Sequence, residues 1–270
     1  MENKKYPGGR YSALMTSIFL DIYKPKSREL RFSREDIVAA ATKLGMKLPK
    51  NIGDVIYSFR YRNQFPAEIL ATQPNGYEWI IVGAGKSEYL FKLVPFNRIL
   101  PNSNILSIKI PDATPEIISR YALGDEQALL AKVRYNRLID VFLGVAAYSL
   151  QNHLRTTVKG VGQIEIDEVY VAVDKHGRQF IIPVQAKGGS DQHGVVQTTQ
   201  DILWCKEKFP ELICRPVSVQ FITATKIAMF SMAERDGIVG LLDEKHYELV
   251  DSTMVTINDL QEYSSIAEKD

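Results

Sequence analysis

The stretch that most constrains the fold runs from Gln163 to Lys187 and reads as two apolar strands joined by a tight turn. Its two halves, Glu165–Val173 and Phe180–Lys187, are rich in β-branched and aromatic residues, which favour strands. The intervening segment, Asp174-Lys175-His176-Gly177, has turn chemistry because glycine can adopt a positive φ. The sequence therefore predicts an antiparallel β-hairpin.

Polar side chains converge at one end of this hairpin. Folding the chain about His176 sets Asp167 opposite Gln185. Side chains alternate along a strand, so Glu165 shares a face with Asp167, and Lys187 shares a face with Gln185. Directly opposite Cβ atoms lie roughly 5 Å apart, and carboxylate and amide oxygens at that spacing can bind one hard cation. The sequence predicts such a site, with Lys187 beside it as a point charge or proton donor.

This arrangement resembles the PD-(D/E)xK nuclease superfamily. Glu165-x-Asp167, a turn and a strand ending in Gln185-x-Lys187 give the match, and the Gln-Ala-Lys form is similar to Mrr-type and some type II restriction endonucleases. The resemblance covers residues 134–223, about a third of the chain. It implies an α+β or α/β fold with a restriction-endonuclease-like mixed sheet flanked by helices. It also implies Mg²⁺-dependent hydrolysis of phosphodiester bonds in double-stranded DNA.

The resemblance assigns a role to each residue of the motif. Asp167 would be the invariant metal-binding acid, Gln185 the second metal ligand and Lys187 the catalytic lysine. Gln185 departs from the family pattern, because most members carry Asp or Glu there. A neutral amide removes one negative charge, so we expect metal binding to rely also on Glu165.

The first core helix of the superfamily often supplies one more acid to the metal site. We predict this helix over Glu126–Arg155, in one or two pieces, from the apolar residues that recur along it. Its end reads Gln151-Asn152-His153-Leu154-Arg155 and contains no carboxylate. His153 is therefore a candidate supporting residue, with a capping or surface role as the alternative.

A second helix is expected over Val195–Phe209, ended by Pro210. Superfamily relatives place a polar residue of this helix at the metal, and Gln197 is the first candidate, ahead of Gln200. Plain helix surface is the alternative for both. We expect Val217–Ile222 to pair in parallel with Ile181–Ala186 through this crossover helix.

Charge is divided unevenly along the chain. The first 100 residues hold 16 Lys and Arg against 9 Asp and Glu, whereas the remaining 170 hold 17 against 23. A basic first third on a slightly acidic remainder suggests that this third binds a polyanion. Ser33-Arg34-Glu35-Asp36 predicts a capped helix start, Ile52–Arg62 a second helix, and Gly83–Ser87 a turn between two strands.

This order resembles a winged-helix domain, in which Ile52–Arg62 would be the recognition helix and Gly83–Ser87 the tip of the wing. The DNA-binding candidates, mostly for phosphates, are Tyr57, Arg60, Arg62 and Lys86. The alternative is a small α+β packing domain. We predict a basic winged-helix-like domain over residues 1–100, a linker over 101–125 and a nuclease domain over 126–270.

Other classes of protein find less support. No run approaches 18 apolar residues and no apolar leader follows Met1, so we expect no membrane span, no signal peptide and a cytoplasmic protein. Cys205 and Cys214 lack metal-site spacing and are expected to be free thiols. Hydrolase signatures such as G-x-S-x-G and H-E-x-x-H do not occur.

Three functions remain open from the sequence. The first is a site-specific, Mg²⁺-dependent DNA endonuclease of the restriction type, expected to be a homodimer because it cuts both strands of a two-fold symmetric duplex; a junction or repair nuclease would share its core. The second is a DNA-binding regulator with an inactive nuclease-like domain, an alternative that the neutral residue Gln185 keeps open. The third is an α/β ligand-binding protein in which the charges of the hairpin are structural.

Overall fold

The computed structural model describes residues 9–188 and 193–265, with only the backbone of Tyr61 and Arg62. The chain divides into two compact units. The first contains the described residues up to Arg98 together with Thr156–Ile164 and Gly194–Gln200, and the second contains the others. The protein is of the mixed α+β class.

The first unit combines short helices with a three-stranded antiparallel sheet of order β1-β3-β2. Its main elements, in chain order, are α1 (Arg10–Ile22), β1 (Glu29–Ser33), α2 (Arg34–Lys43), α3 (Gly53–Tyr57), a π-helix (Ser58–Arg62), α4 (Ala67–Leu70), β2 (Glu78–Gly85) and β3 (Glu88–Val94). Aromatic rings form its core, where Phe19 meets Trp79 and Phe91 edge-on with ring centroids 5.3 and 5.1 Å apart.

Local sequence signals explain the helices of this unit. The Asp36 N–H donates to the Ser33 hydroxyl, and the Ser33 N–H donates to the Asp36 carboxylate, which confirms the predicted capping box. The chain leaves α2 through Gly45, whose φ is 65°. The helix predicted over Ile52–Arg62 is present as α3 followed directly by the π-helix.

The second unit is built on an eight-stranded mixed sheet. The remaining elements of the chain are β4 (Arg98–Ile99), β5 (Ser107–Pro111), α5 (Glu116–Tyr121), α6 (Glu126–Tyr135), α7 (Leu138–Leu143), β6 (Ala146–Val158), β7 (Gly162–Val173), β8 (Gln179–Lys187), β9 (His193–Gly194), α8 (Val195–Lys208), β10 (Ile213–Cys214), β11 (Val217–Phe221), β12 (Lys226–Arg235), β13 (Ile238–Val250), a 3-10 helix (Ser252–Met254) and α9 (Ile257–Ser264). Seven strands follow the order β5-β13-β12-β11-β8-β7-β6, and β10 pairs with β8 off this path.

The predicted hairpin is confirmed. Strands β7 and β8 are antiparallel, with a register that runs from Val173 opposite Gln179 to Glu168 opposite Val184. Gly177 in the turn has a φ of 78°. The predicted parallel partner of β8 is also confirmed, because β11 pairs with it in parallel and α8 lies between the two strands in sequence.

The two faces of strand β8 differ in character. Alternate residues of one face are buried in an apolar core that also contains side chains of α6 and α7; the strand residues are Phe180, Ile182, Val184 and Ala186. Gln185 points to the other face, where it meets α8. Strand alternation therefore separates an apolar core from a polar site.

The prediction of helix over Glu126–Arg155 is wrong beyond Leu143. Helix α7 ends at Gly144, whose φ is 64°, and the Asp140 carboxylate accepts the Ala147 N–H at 2.9 Å. The chain then enters β6 and pairs with β7. Tyr148, an aromatic residue within the predicted helix, is 63% exposed on this strand.

Two further predictions concern the linker and the membrane. Strand β5 lies within residues 101–125, which the sequence assigns to a linker, and pairs in parallel with β13 of the large sheet. In the part of the chain that the structure describes, each helix is too short or too polar to cross a membrane.

Candidate functional site

Asp167 lies where β7 and β8 stop pairing through their backbones. Glu168 and Val184 are the last paired residues, so Asp167 and Gln185 are the next positions along the two strands. The Asp167 carboxylate turns towards β8 and accepts the Ala186 N–H at 2.8 Å. This hydrogen bond replaces the ladder at the strand end and fixes the orientation of the carboxylate.

Gln185 is almost completely buried, and its amide nitrogen is held on two sides. It donates to the backbone oxygen of Glu165 at 3.0 Å and to the two carboxylate oxygens of Asp201 at 3.1 and 3.3 Å. Because the nitrogen is committed to these acceptors, the amide oxygen is the atom of Gln185 that can act as a cation ligand. A neutral side chain thereby presents an oxygen beside Asp167.

Asp201 is the residue of the site that sequence reasoning missed. It lies in α8 and is 2% exposed. Burial raises the pKa of the Asp201 carboxyl well above its usual range, and the nearby Asp167 carboxylate raises it further, against the lowering effects of Gln185 and Lys187. The available signal was an acid next to Ile202 in a helix that must cover a sheet, because such an acid requires a polar partner.

Lys187 closes the motif and pairs with an acid from α6. Its ammonium group lies 3.4 Å from the Glu126 carboxylate, and its side chain is 13% exposed. Glu126 is the first residue of α6, directly after the N-cap residue Asp125. The resemblance predicts a helix acid near residue 155, whereas the acid beside Lys187 is Glu126, at the other end of the predicted helix.

Glu165 occupies the solvent side of this cluster. Its carboxylate lies 3.3 Å from the Arg155 guanidinium and 3.5 Å from the His153 imidazole. His153 is on strand β6 with a φ of 49°, so the predicted supporting residue contacts Glu165 from a strand and not from a helix end. Glu165 also contributes its backbone oxygen to Gln185.

Negative charge exceeds positive charge around Asp167. Burial raises the pKa of its carboxyl above the usual range, and Glu126 and Glu165 raise it further, while the Ala186 N–H and Lys187 lower it. A carboxylate and an amide oxygen with two further acids nearby suit a hard divalent cation, whose charge would offset that of the acids. The donor chemistry of Asp167 and Gln185 therefore fits Mg²⁺.

Gln197 belongs to a different environment. It is half-buried in the first turn of α8, and this turn is part of the first unit, whereas Asp167, Gln185 and Lys187 belong to the second. Gln200, the other candidate, is 8% exposed and belongs to the first unit as well.

The predicted DNA-binding residues lie on α3, on the π-helix that follows it and in the β2–β3 turn of the first unit. Tyr57 is 48% exposed, and Lys86 is exposed in the turn. The Arg60 guanidinium is 5.8 Å from the ring centroid of Tyr89, so the charged end of this side chain lies against β3 of the small sheet. The side chain of Arg62 lies outside the described residues.

Neither a ready-made metal group nor a known relative identifies this site. Within residues 9–188 and 193–265, no three His, Cys, Asp or Glu side chains form a ready-made metal group. Searches with protein-family models, against curated proteins and against solved structures gave no match for this chain. The geometry of the site is therefore the basis for the function proposed below.

Proposed function

We propose that this chain is a Mg²⁺-dependent, site-specific DNA endonuclease of the PD-(D/E)xK type. The observation that carries the proposal is the convergence of Asp167, Gln185 and Lys187 on one face of the β7–β8 hairpin. Glu126 and Asp201, which come from two helices, complete a polar cluster around them. Such groups are costly to bury in a structural role, because each must find a partner to offset lost hydration.

Each residue has a task that its surroundings support. Asp167 and the amide oxygen of Gln185 would hold Mg²⁺, and Glu165 lies next to them on the solvent side. The bound cation would polarise the scissile phosphate and lower the pKa of the attacking water. Lys187 would stabilise the negative charge that develops on the phosphoryl oxygens, and Glu126 positions its ammonium group.

The first unit supports a DNA-binding role in the same proposal. Its elements run helix, strand, helix, helix with its π-helical extension, a further short helix α4, and two strands, and its sheet order is β1-β3-β2. Apart from α4, this order resembles that of a winged-helix domain, which supports the proposal. The π-helix that continues α3 falls in the candidate recognition helix, and such irregular turns are frequent at functional sites. A homodimer would bring two motifs to the two strands of a duplex.

The test is cleavage of mixed unmethylated plasmid and phage DNA with Mg²⁺, beside EDTA and the variant Lys187→Ala. Lys206→Ala is the matched control, because it removes another paired lysine of the second unit, bound to Glu234 at 2.9 Å. We expect discrete fragments with wild type and the control, and a loss of at least about 100-fold with Lys187→Ala, the scale of losing an electrostatic stabiliser.

The remaining outcomes separate the alternatives. Smearing or nicking that EDTA abolishes would support a junction or repair nuclease in place of a restriction enzyme. Salt-sensitive duplex binding without cleavage, on methylated and unmethylated DNA alike, would support the inactive regulator. Absence of both would refute a nucleic-acid function.

A further inference from the structure

A cavity lies on the opposite face of β7 from the motif. Its volume is about 440 Å³, and its walls come from the end of α6, the start of α7, the first residues of β6 and Tyr170 of β7. All of these belong to the second unit. Tyr170 and Asp167 are three positions apart on one strand, so their side chains point to opposite faces.

The Tyr170 hydroxyl lies in this cavity beside the Arg134–Glu168 ion pair. The residue is 4% exposed, and its hydroxyl interacts with the Glu168 carboxylate and the Arg134 guanidinium. Burial raises the pKa of this phenol, and Glu168 raises it further, so it stays a neutral O–H. A phenol that donates to a carboxylate keeps oxygen lone pairs that can accept a hydrogen bond from a ligand.

The wall beside Tyr170 is fixed and electrically neutral. The Arg134 guanidinium donates to both oxygens of Glu168 at 3.0 and 3.2 Å, and the Ser149 hydroxyl donates to Glu168 at 2.6 Å. Glu168 is fully buried, so this ion pair holds the geometry of the wall. The Arg134 side chain is 41% exposed, and the N–H groups that do not contact Glu168 or Tyr170 are donors for a ligand.

The rim adds aromatic surface but no net charge. Tyr135 and Tyr148 line the cavity and are 43% and 63% exposed, so their rings are available for stacking. Arg137 at the rim is paired with Asp140, just as Arg134 is paired with Glu168. Two arginines offset by two carboxylates leave no surplus of positive charge for a phosphate or a carboxylate ligand.

We propose that this cavity binds a single nucleobase. A planar, uncharged ring with donors and acceptors on its edge matches the exposed tyrosine rings, the Tyr170 hydroxyl and the free N–H groups of Arg134. The volume lies within the range of small-ligand sites, about 300–1,000 Å³. The base can come from a free nucleoside or from a nucleotide unstacked from DNA; only the second source rests on the proposed nuclease function.

The experiment measures binding of the four deoxyribonucleosides to the full chain by calorimetry and saturation-transfer NMR. A parallel arm uses catalytically blocked Lys187→Ala protein and duplexes with or without one unpaired base. Tyr170→Phe removes only the hydroxyl. Tyr247→Phe is the matched control, because Tyr247 is also 4% exposed in the second unit but lies outside the cavity.

We expect at least one nucleoside to bind, with affinity reduced about 5- to 10-fold by Tyr170→Phe, the effect of one hydrogen bond, and unchanged by Tyr247→Phe. Tighter binding of Lys187→Ala protein to the duplex with an unpaired base than to the fully paired duplex would identify DNA as the source of the base, provided that Tyr170→Phe/Lys187→Ala loses this preference. Equal binding by Tyr170→Phe, or no binding of any base in either arm, would overturn the proposal. Nucleoside binding without DNA cleavage would refute the nuclease function and leave this site standing.

Discussion

The amide nitrogen of Gln185 donates to both carboxylate oxygens of Asp201, and both side chains are 2% exposed. The pair joins β8 to α8 beneath the motif. An amide at position 185 complements this carboxylate, whereas the acid that most PD-(D/E)xK nucleases carry there would repel it. Gln185 and Asp201 are therefore a matched donor and acceptor.

Exchanging this amide for an acid should destabilise the protein. Gln185→Glu places a second buried carboxylate beside Asp201 and removes the hydrogen-bond donor, so we expect a loss of about 3 kcal/mol in the free energy of unfolding at pH 8. The double variant Gln185→Glu/Asp201→Asn restores a donor opposite an acceptor and should recover most of it. Urea denaturation of the four proteins of this cycle measures the coupling.

The cost of Gln185→Glu should also shrink at pH 5, because one of the two acids then takes up a proton. Additive effects of the two substitutions, with no recovery in the double variant, would show that the two side chains are not coupled in solution.

The raised pKa of Asp201 leads to a prediction of how the stability of the protein depends on pH. This pKa is raised in the folded state, so the folded protein binds this proton more tightly than the unfolded chain. The stability linked to Asp201 is therefore fully present at low pH and is lost as pH rises from the ordinary aspartate pKa, about 3.9, towards the raised value. In EDTA, the free energy of unfolding of Asp201→Asn relative to that of wild type should therefore increase as the pH rises from 4 to 8.

The measurement is the urea midpoint of both proteins across that range. Asp236→Asn is the control, since Asp236 is an exposed acid in the turn between β12 and β13. If the urea midpoints of wild type and Asp201→Asn change with pH in parallel, the raised pKa of Asp201 would be contradicted.

The hairpin and its parallel partner could be predicted because their signals are local. Turn residues around Gly177 fixed the antiparallel register, and alternation then placed Asp167 next to Gln185. The capping box at Ser33 was similarly self-contained. In these cases the chemistry of a few neighbouring residues decides the structure.

The errors arose where distant residues decide the structure. Residues 146–155 have apolar side chains at helical spacing, yet they form β6 because Gly144 ends α7 and β7 offers an edge to pair with. That error hid Glu126, since the start of α6 meets Lys187 only after the sheet has formed. The helix sequence marks Asp201 as an acid beside Ile202 that needs a polar partner, but it does not show that this partner is Gln185 on another element.

The Arg134–Glu168 pair should be among the most important polar contacts for stability. Arg134→Met leaves Glu168 buried and unpaired, which should cost about 3–5 kcal/mol in the free energy of unfolding. Arg134→Met/Glu168→Gln removes the stranded charge and should recover most of this loss. Urea denaturation at pH 7 measures both variants.

Arg137→Met provides the contrast within the same region. Arg137 is 63% exposed and pairs with Asp140 at the surface, so its loss should cost no more than about 1 kcal/mol. Equal destabilisation by Arg134→Met and Arg137→Met would show that burial of Glu168 does not set the energetics of the pair.

Lys86 should contribute to the salt dependence of DNA binding. It lies exposed in the turn between β2 and β3, and under the winged-helix proposal it contacts a phosphate. Lys86→Ala should weaken binding of all duplex sequences to a similar extent and reduce the slope of log K against log[salt] by about 1, because one fewer counterion is released. Fluorescence anisotropy between 50 and 300 mM salt measures this slope.

The control is Lys245→Ala, which removes an exposed lysine of β13 in the second unit and should leave the slope unchanged. An unchanged slope with Lys86→Ala would place the DNA away from this turn and remove the wing from the proposed interface.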